Sequence, residues 1–414
     1  MEKILQHNHD YYAYRQSGGN IMHTLGPIGI IPLTGAQSFA EKVNAHLYER
    51  RLQYYEDNLF PIHDDPGFMR SNYFIDVECI RFSSGEAKGV INSSVRGHDI
   101  YIFCDVTNYS CTYRMFGHEV PMGPDDHYQD LKRIILATCG KARRINVIMP
   151  FLYEGRQDSR NSRESLDCSF MLNSLKNLGV ENIITFDPHD PRVENAIPQY
   201  SLDHFPSTFP LVKALLTNEK DIRLSGGKGS LVIISPDETA LKRASYLASL
   251  ASVPLGTFYR QRDYSQLVDG RNPIMSFEYL GDDVAGHDVV IVDDMIDSGS
   301  TFIETARQLK ARHARRIFVL CTFGLFTSGL DDICDAWENG IIDRIYTTNL
   351  SYKSPEVLAA PWHVTVDLSK DVALLIDALN HDASTAALAD HTDALREFIY
   401  SYKQQTALVD QASE

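Results

Sequence analysis

The chain has 414 residues, room for two or three domains, and 43% of them are hydrophobic, ample for buried cores. A formal net charge of -16 argues against a nucleic-acid partner, and any anionic substrate would need local Arg, Lys or Mg2+ to offset that field. No run of about 18 apolar residues occurs and residues 1–15 hold no apolar leader segment, so no membrane partner is expected and the expected location is the cytoplasm.

Residues 1–25 are rich in His, Tyr and Asn, with little periodicity, and read as an N-terminal arm. A first strand is expected at 29–32. Residues 50–75, with Pro61, Asp64, Asp65, Pro66 and Gly67, and residues 108–126, with Pro121, Gly123, Pro124, Asp125 and Asp126, read as inserted surface loops. Between them stand Phe82, Ser83, Ser84, Gly85 and Glu86, then an expected strand at 100–104. Another, at 145–149, precedes Arg156, Gln157 and Asp158. A fourth, at 183–186, runs into Asp187, Pro188, His189, Asp190 and Pro191, where two prolines forbid a regular element and mark a boundary. The first domain is therefore set at 26–190.

Gly226, Gly227, Lys228, Gly229 and Ser230 lack Walker spacing and precede their strand, so they read as a turn. That strand, at 231–234, ends in Ser235, Pro236 and Asp237. Val289, Val290, Ile291 and Val292 form an apolar run with no polar alternation, as expected of a central parallel strand covered on both faces. Asp293 and Asp294 then emerge at its carboxyl end, the edge where ligands sit in open α/β sheets. Paired carboxylates there suit ribose hydroxyls or a bridging Mg2+. Asp297, Ser298, Gly299, Ser300 and Thr301 supply small side chains, hydroxyls and backbone N–H groups. Phe302, Ala306 and Leu309 follow at helical spacing, so the loop opens a helix whose positive end faces an anion. A strand at 317–321 completes a second domain set at 191–360. In the remaining 361–414, Leu388, Leu395, Phe398 and Ile399 imply an added helix for packing or oligomerisation. The alternation of strands and helical patterns gives an α/β fold with parallel sheets. Cysteines 79, 104, 111, 139, 168, 321 and 334 include no C-x-x-C pair and read as reduced thiols, buried at Cys79, Cys104 and Cys321.

Residues 289–301 resemble the phosphoribosyl pyrophosphate (PRPP) binding motif of type I phosphoribosyltransferases and of ribose-phosphate diphosphokinase (PRPP synthetase). The upstream blocks are similar to the second family, in its order. They are Phe82, Ser83, Ser84, Gly85 and Glu86; Ser94, Val95, Arg96, Gly97, His98 and Asp99; residues 143–150; Arg156, Gln157 and Asp158; Asp187, Pro188 and His189; and Ser235, Pro236 and Asp237. The resemblance runs from about residue 26 to 380. It implies two phosphoribosyltransferase-like domains, each a mainly parallel sheet flanked by helices, with the active site between them. It also implies transfer of pyrophosphate from ATP to C1 of ribose 5-phosphate, giving PRPP and AMP.

On that resemblance Phe82 and the planar guanidinium of Arg156 sandwich adenine, Ser84 and Glu86 read nearby polar groups, and Gln157 and Asp158 complete the ATP side. Asp293, Asp294, Asp297, Ser298, Gly299, Ser300 and Thr301 hold the ribose phosphate. His189 and Asp237 hold Mg2+. The implied partners are small-molecule substrates only, and the implied assembly is a homo-oligomer.

The chain departs from the family after Phe258, where the family's Asp-Lys-Arg-Arg is replaced by Tyr259, Arg260, Gln261 and Arg262. Arg260 and Arg262, with His189, are the expected catalytic residues, on a segment 259–280 whose Asp269, Gly270, Asn272 and Pro273 suit a mobile lid. The altered loop also leaves open a larger acceptor such as ADP-ribose, or a catalytically weak subunit that regulates a true synthetase.

Overall fold

The structure, a computed structural model, describes residues 24–56, 67–160, 162–224, 229–262 and 274–413. It divides into two compact units. The first takes the described residues through Pro206 together with Asn349–Tyr352 and Asp367–Asp390; the second takes Ser207–Thr348, Lys353–Val366 and the described residues from His391 onward. No helix among the described residues is long and apolar enough to cross a membrane. Of the expected N-terminal arm, residues 1–23 lie outside the described residues.

The first unit runs β1 (Ile28–Pro32), α1 (Gln37–Glu56), β2 (Val77–Arg81), β3 (Ala87–Ile91), β4 (Asp99–Phe103), β5 (Thr112–Met115), β6 (His118–Pro121), α2 (Pro124–Ala137), β7 (Arg144–Ile148), α3 (Asp167–Asn177), β8 (Asn182–Phe186) and β9 (Ser201–Phe205). Strands β1, β4, β7, β8 and β9 lie side by side in that order, all parallel. Every residue of β4, β7 and β8 is buried, as a parallel sheet covered on both faces requires. Leu131 and Ile134 of α2 and Met171, Leu172 and Leu175 of α3 close one face over Ile100, Ile102 and Val147. The antiparallel pairs β2–β3 and β5–β6 form two separate hairpins.

The second unit runs α4 (Thr208–Asn218), β10 (Leu231–Ser235), α5 (Leu241–Ala251), β11 (Leu255–Arg262), β12 (Ile274–Leu280), β13 (Asp288–Ile296), α6 (Ser300–Ala311), β14 (Ile317–Gly324), α7 (Asp331–Glu338), β15 (Arg344–Thr348), α8 (Pro355–Ala359) and β16 (His363–Val366). Its seven-stranded sheet has the order β12-β11-β10-β13-β14-β15-β16, parallel throughout except for β12. Val232, Ile234, Val289, Ile291 and Val319 meet Ile303, Ala306 and Leu309 of α6 in its core.

Three helices follow: α9 (Ser369–Asn380), α10 (Ala386–Ala389) and α11 (Thr392–Ser413). Helix α9 returns to the first unit. Its Asp377 accepts from Arg50 Nε (2.6 Å) and Tyr54 Oη (3.0 Å) of α1, and Asn380 Oδ1 accepts from Arg51 Nη2 (2.7 Å). Burial pushes the Asp377 carboxyl up, but His381, Arg50 and Arg51 more than offset this and hold its pKa at about 2. Beneath the sheet, Arg144 grips Asp99 through Nε and Nη2 (both 2.8 Å), and Asn380 Nδ2 donates to the same carboxylate (3.0 Å). Helix α11 belongs to the second unit, where Leu395 and Ile399 are buried and Tyr402 Oη donates to Ile222 O (2.8 Å).

The seven expected strands are all present, each within one to four residues of its expected ends. Four differences have physical causes. The prolines at 188 and 191 do not end the first unit: Asp190 accepts from Arg192 N (2.9 Å) and caps a 3-10 turn, Pro191–Ala196, after which β9 joins the first sheet. Of residues 50–75, expected as a loop, 50–56 extend α1, and Phe68 and Tyr73 are buried against the stacked Arg51 guanidinium. Residues 57–66 lie outside the described residues. Residues 108–126 hold the β5–β6 hairpin and the start of α2. All seven cysteines are free; Cys104 and Cys321 are buried, while Cys79 is only partly so because β2 belongs to a hairpin rather than to the central sheet.

Candidate active site

In the second unit the parallel register gathers the acids. Ile234 of β10 pairs with Ile291 of β13, so Asp237 and Asp294, each three residues on, reach the same carboxyl edge. Asp293 and Asp294 are not beyond the strand, as expected, but within it: β13 continues to Ile296, pairing Met295 with Phe323 and Ile296 with Gly324. Asp294 is buried and Asp293 partly so. Burial, then the charge of Asp294 and more weakly that of Asp237, push the Asp293 carboxyl well above its ordinary range. Crowding of three carboxyls on one edge thus disfavours their full ionisation unless a cation offsets it. Asp237 Oδ1 accepts from Thr239 N (3.0 Å), Thr239 Oγ1 (2.6 Å) and Ala240 N (3.2 Å), while its Oδ2 has no partner among the described residues.

The loop after β13 is built for close approach. Gly299 has φ of 88°, and an added Cβ would stand 3.1 Å from Phe302 Cε1, so a side chain here meets both strain and crowding. Ser298 Oγ and Ser300 Oγ lie 3.0 Å apart, Ser300 N donates to Ser298 Oγ (3.4 Å), and α6 starts at Ser300. Asp297 is fixed by a residue that sequence reading missed: Thr327 Oγ1 donates to its Oδ1 (2.6 Å) and Thr327 N to its carbonyl (2.9 Å). Thr327 follows β14 and carries no local signal of this role.

In the first unit Phe82, Ser84 and Glu86 meet in the β2–β3 turn. Phe82 N donates to Glu86 O (2.8 Å), Gly85 N to Phe82 O (2.9 Å), and Ser84 Oγ to Glu86 Oε2 (3.1 Å). Phe82 is 47% exposed, a solvent-facing ring rather than a core aromatic. The tip of β5–β6 locks onto this turn through Phe116 N, which donates to Ser83 O (2.8 Å). Arg156 and Gln157 are exposed on the loop after β7, where Gln157 N donates to Glu154 O (2.8 Å). The loop's base is held by Tyr153, stacked on Tyr128 with ring centroids 4.5 Å apart and hydrogen-bonded to Asp125.

His189 is half-buried beyond β8, in a segment tied down by Asp187 N donating to Phe205 O (3.1 Å). Next to it the hydrogen bonds of Arg192 hold the Asp190 carboxyl below its ordinary range. Arg192 also feels the charge of Asp158, so this cation, which sequence reading missed, lies near both the Asp158 and His189 segments.

The backbone of Arg260 and Arg262 lies in β11, paired antiparallel with β12, with a bulge between Gln261 and Arg262. Segment 259–280, expected as a lid poor in packing, is thus paired β strand at both described ends, 259–262 and 274–280. Residues 263–273 and the side chains of Arg260 and Arg262 lie outside the described residues. Among the described residues no three His, Cys, Asp or Glu side chains converge to enclose a metal ion. His189 belongs to the first unit and Asp237 to the second.

Comparison with known proteins matches residues 28–179 to the N-terminal domain of ribose phosphate pyrophosphokinase and residues 210–333 to the phosphoribosyl transferase domain. A putative ribose-phosphate pyrophosphokinase 2 of Streptococcus mutans is 30% identical over 292 residues, covering 67% of this chain and 80% of that protein. The ribose-phosphate pyrophosphokinase of Vibrio parahaemolyticus is 28% identical over 320 residues, covering 76% and 90%. Among solved structures, the phosphoribosylpyrophosphate synthetase of Mycobacterium smegmatis superposes with a TM-score of 0.67 at 18% identity, covering 86% of this chain and 99% of that one.

Proposed function

Because the chain belongs to the ribose-phosphate pyrophosphokinase family, we propose that it transfers the terminal diphosphoryl group of ATP to the C1 hydroxyl of ribose 5-phosphate, giving PRPP and AMP. The observation that carries this reading is the β13–α6 junction, where Asp293 and Asp294 stand directly before the loop from Asp297 to Thr301. Carboxylates accept from ribose hydroxyls, and the N–H groups and hydroxyls that open α6 suit the 5-phosphate. The C1 oxygen attacks the β-phosphorus, the bond to the α,β-bridging oxygen breaks, AMP departs with that electron pair, and the C1 hydroxyl proton is lost to solvent. Catalysis of this kind is mainly positioning and charge compensation.

On the ATP side, Phe82 offers a π face to adenine, with Ser84 and Glu86 beside it, and Arg156, Gln157 and Asp158 complete that side. Asp237 and the Asp293–Asp294 pair, and separately His189, are the residues proposed to hold Mg2+. When bound, Mg2+ would offset the negative charge of the diphosphoryl oxygens under attack. Arg260 and Arg262 are proposed as the protein's own cations for the same oxygens. The test is incubation with ATP, Mg2+ and ribose 5-phosphate, with nucleotides separated by chromatography. AMP with PRPP is the expected outcome. ADP as the main product would make the protein a simple kinase, and AMP formed only with ADP-ribose would replace the acceptor.

A further inference from the structure

The 108–126 segment has no part in the reaction outlined above, yet its hairpin touches the proposed adenine turn directly. Phe116 N donates to Ser83 O (2.8 Å), and Met115 Sδ lies 2.5 Å from where a Cβ on Gly85 would stand. The two hairpin tips therefore interlock, with Gly85 at φ of 91° making room. Met115 pairs with His118, which leaves Phe116 and Gly117 as a two-residue loop with φ of 47° and 81°. Positive φ at both positions is the pattern of a type I′ turn, whose first position favours Asn, Asp or Gly. A bulky aromatic there is a backbone outlier. Phe116 is also 75% exposed. Neither property serves the fold, because Asn would suit both the turn and the water. A strained, apolar, solvent-facing ring whose own N–H is bonded to Ser83 is placed for a ligand rather than for packing.

We propose that Phe116 is a second aromatic contact, beside Phe82, for the base of the bound nucleotide, and that it sets the preference for ATP over polyphosphates without a base. This rests on ATP occupying the turn of Phe82 to Glu86. The phenyl ring has no hydrogen-bonding group, so it acts on the base and leaves the phosphates untouched.

Calorimetric titration of the whole protein with ATP and with tripolyphosphate tests this, using the parent, Phe116→Asn and Phe116→Tyr. Because Asn suits a type I′ turn, Phe116→Asn should melt no lower than the parent. It should bind ATP about tenfold more weakly, the scale of one base–aromatic stacking contact. Phe116→Tyr should stay within about twofold of the parent, and all three should bind tripolyphosphate alike. The inference is overturned if Phe116→Asn binds ATP as the parent does, if it loses tripolyphosphate in equal measure, or if the parent binds no ATP. An altered elution volume with unchanged ATP affinity also overturns it, pointing to a contact between copies. A parent that binds ATP with these differences but forms no AMP sinks the diphosphokinase reading and leaves the inference standing.

Discussion

His363 packs against Trp362 and Phe326, and its Nε2 shares a hydrogen bond with Thr347 Oγ1 (2.8 Å). Burial, then the charge of Lys353, lowers its pKa from 6.5 to about 4. A base held neutral in this way gives stability that is fully present above pH 6.5; as pH falls, the unfolded chain takes up a proton that the native ring refuses until about pH 4. The loss across that window is at most about 3 kcal/mol. Asp367 and Asp377, each held at about 2, contribute stability that is lost only below the ordinary carboxylate value of 3.8. His363→Gln should therefore flatten the fall in urea midpoint between pH 6.5 and 4 and leave the steeper acid loss in place; equal slopes in both proteins would rule out His363 as the cause. At the proposed acceptor site, Asp297→Ala should raise the KM for ribose 5-phosphate, lower kcat and leave calorimetric ATP affinity within about twofold. An equal loss of ATP affinity would show that Asp297 does not act on the acceptor alone. Asp297 was legible from its motif. Thr327, which orients it from 30 residues away, was not, because a lone threonine after a strand signals nothing about its partner.

At the scale of elements, the sequence was most informative where burial on both faces leaves no polar alternation, as in β10, β13 and β14, each fully buried over at least its first five residues. It was least informative at the hairpins. Strands β5 and β6 have four residues each, mostly exposed or half-buried, too short for periodicity to separate them from a loop. Segment 259–280 is hard to read for a related reason: Gly270, Asn272 and Pro273 signal a loop, whereas the stretches on either side, Leu255–Arg262 and Ile274–Leu280, hold enough aromatic and aliphatic residues to pair as β11 and β12. The hairpin carries Arg260 where the family has lysine. Arg260→Ala should depress kcat by roughly 10²-fold or more with a smaller change in the KM for ATP, the behaviour of a donor used mainly in the transition state. Arg260→Lys should retain much more activity. If both variants turn over like the parent, Arg260 is a solvated strand residue and has no share in the chemistry.

For the whole molecule, the decisive feature is that neither unit is one continuous stretch of chain. The contact of Arg50 with Asp377 joins residues 327 apart, a distance over which no sequence pattern reports pairing. A fragment of residues 24–206 would lack α9 and leave the buried Arg51 without Asn380 and Asp377, and the Asp99 carboxylate without one of its donors, Asn380. It should show no cooperative urea transition by circular dichroism, and a version carrying residues 367–390 on a flexible linker should regain one; a cooperative transition in the short fragment would show α9 to be dispensable. This interleaving also constrains how the protein is made. The ribosome must add about 160 residues after Pro206 before the chain that starts at Asp367 exists to close the first unit. At about 5–20 residues per second the emerging sheet waits roughly 10–30 s with its buried charges half-paired. Substitutions in α9 should therefore reduce the yield of protein in the cell more than the activity of the molecules that escape.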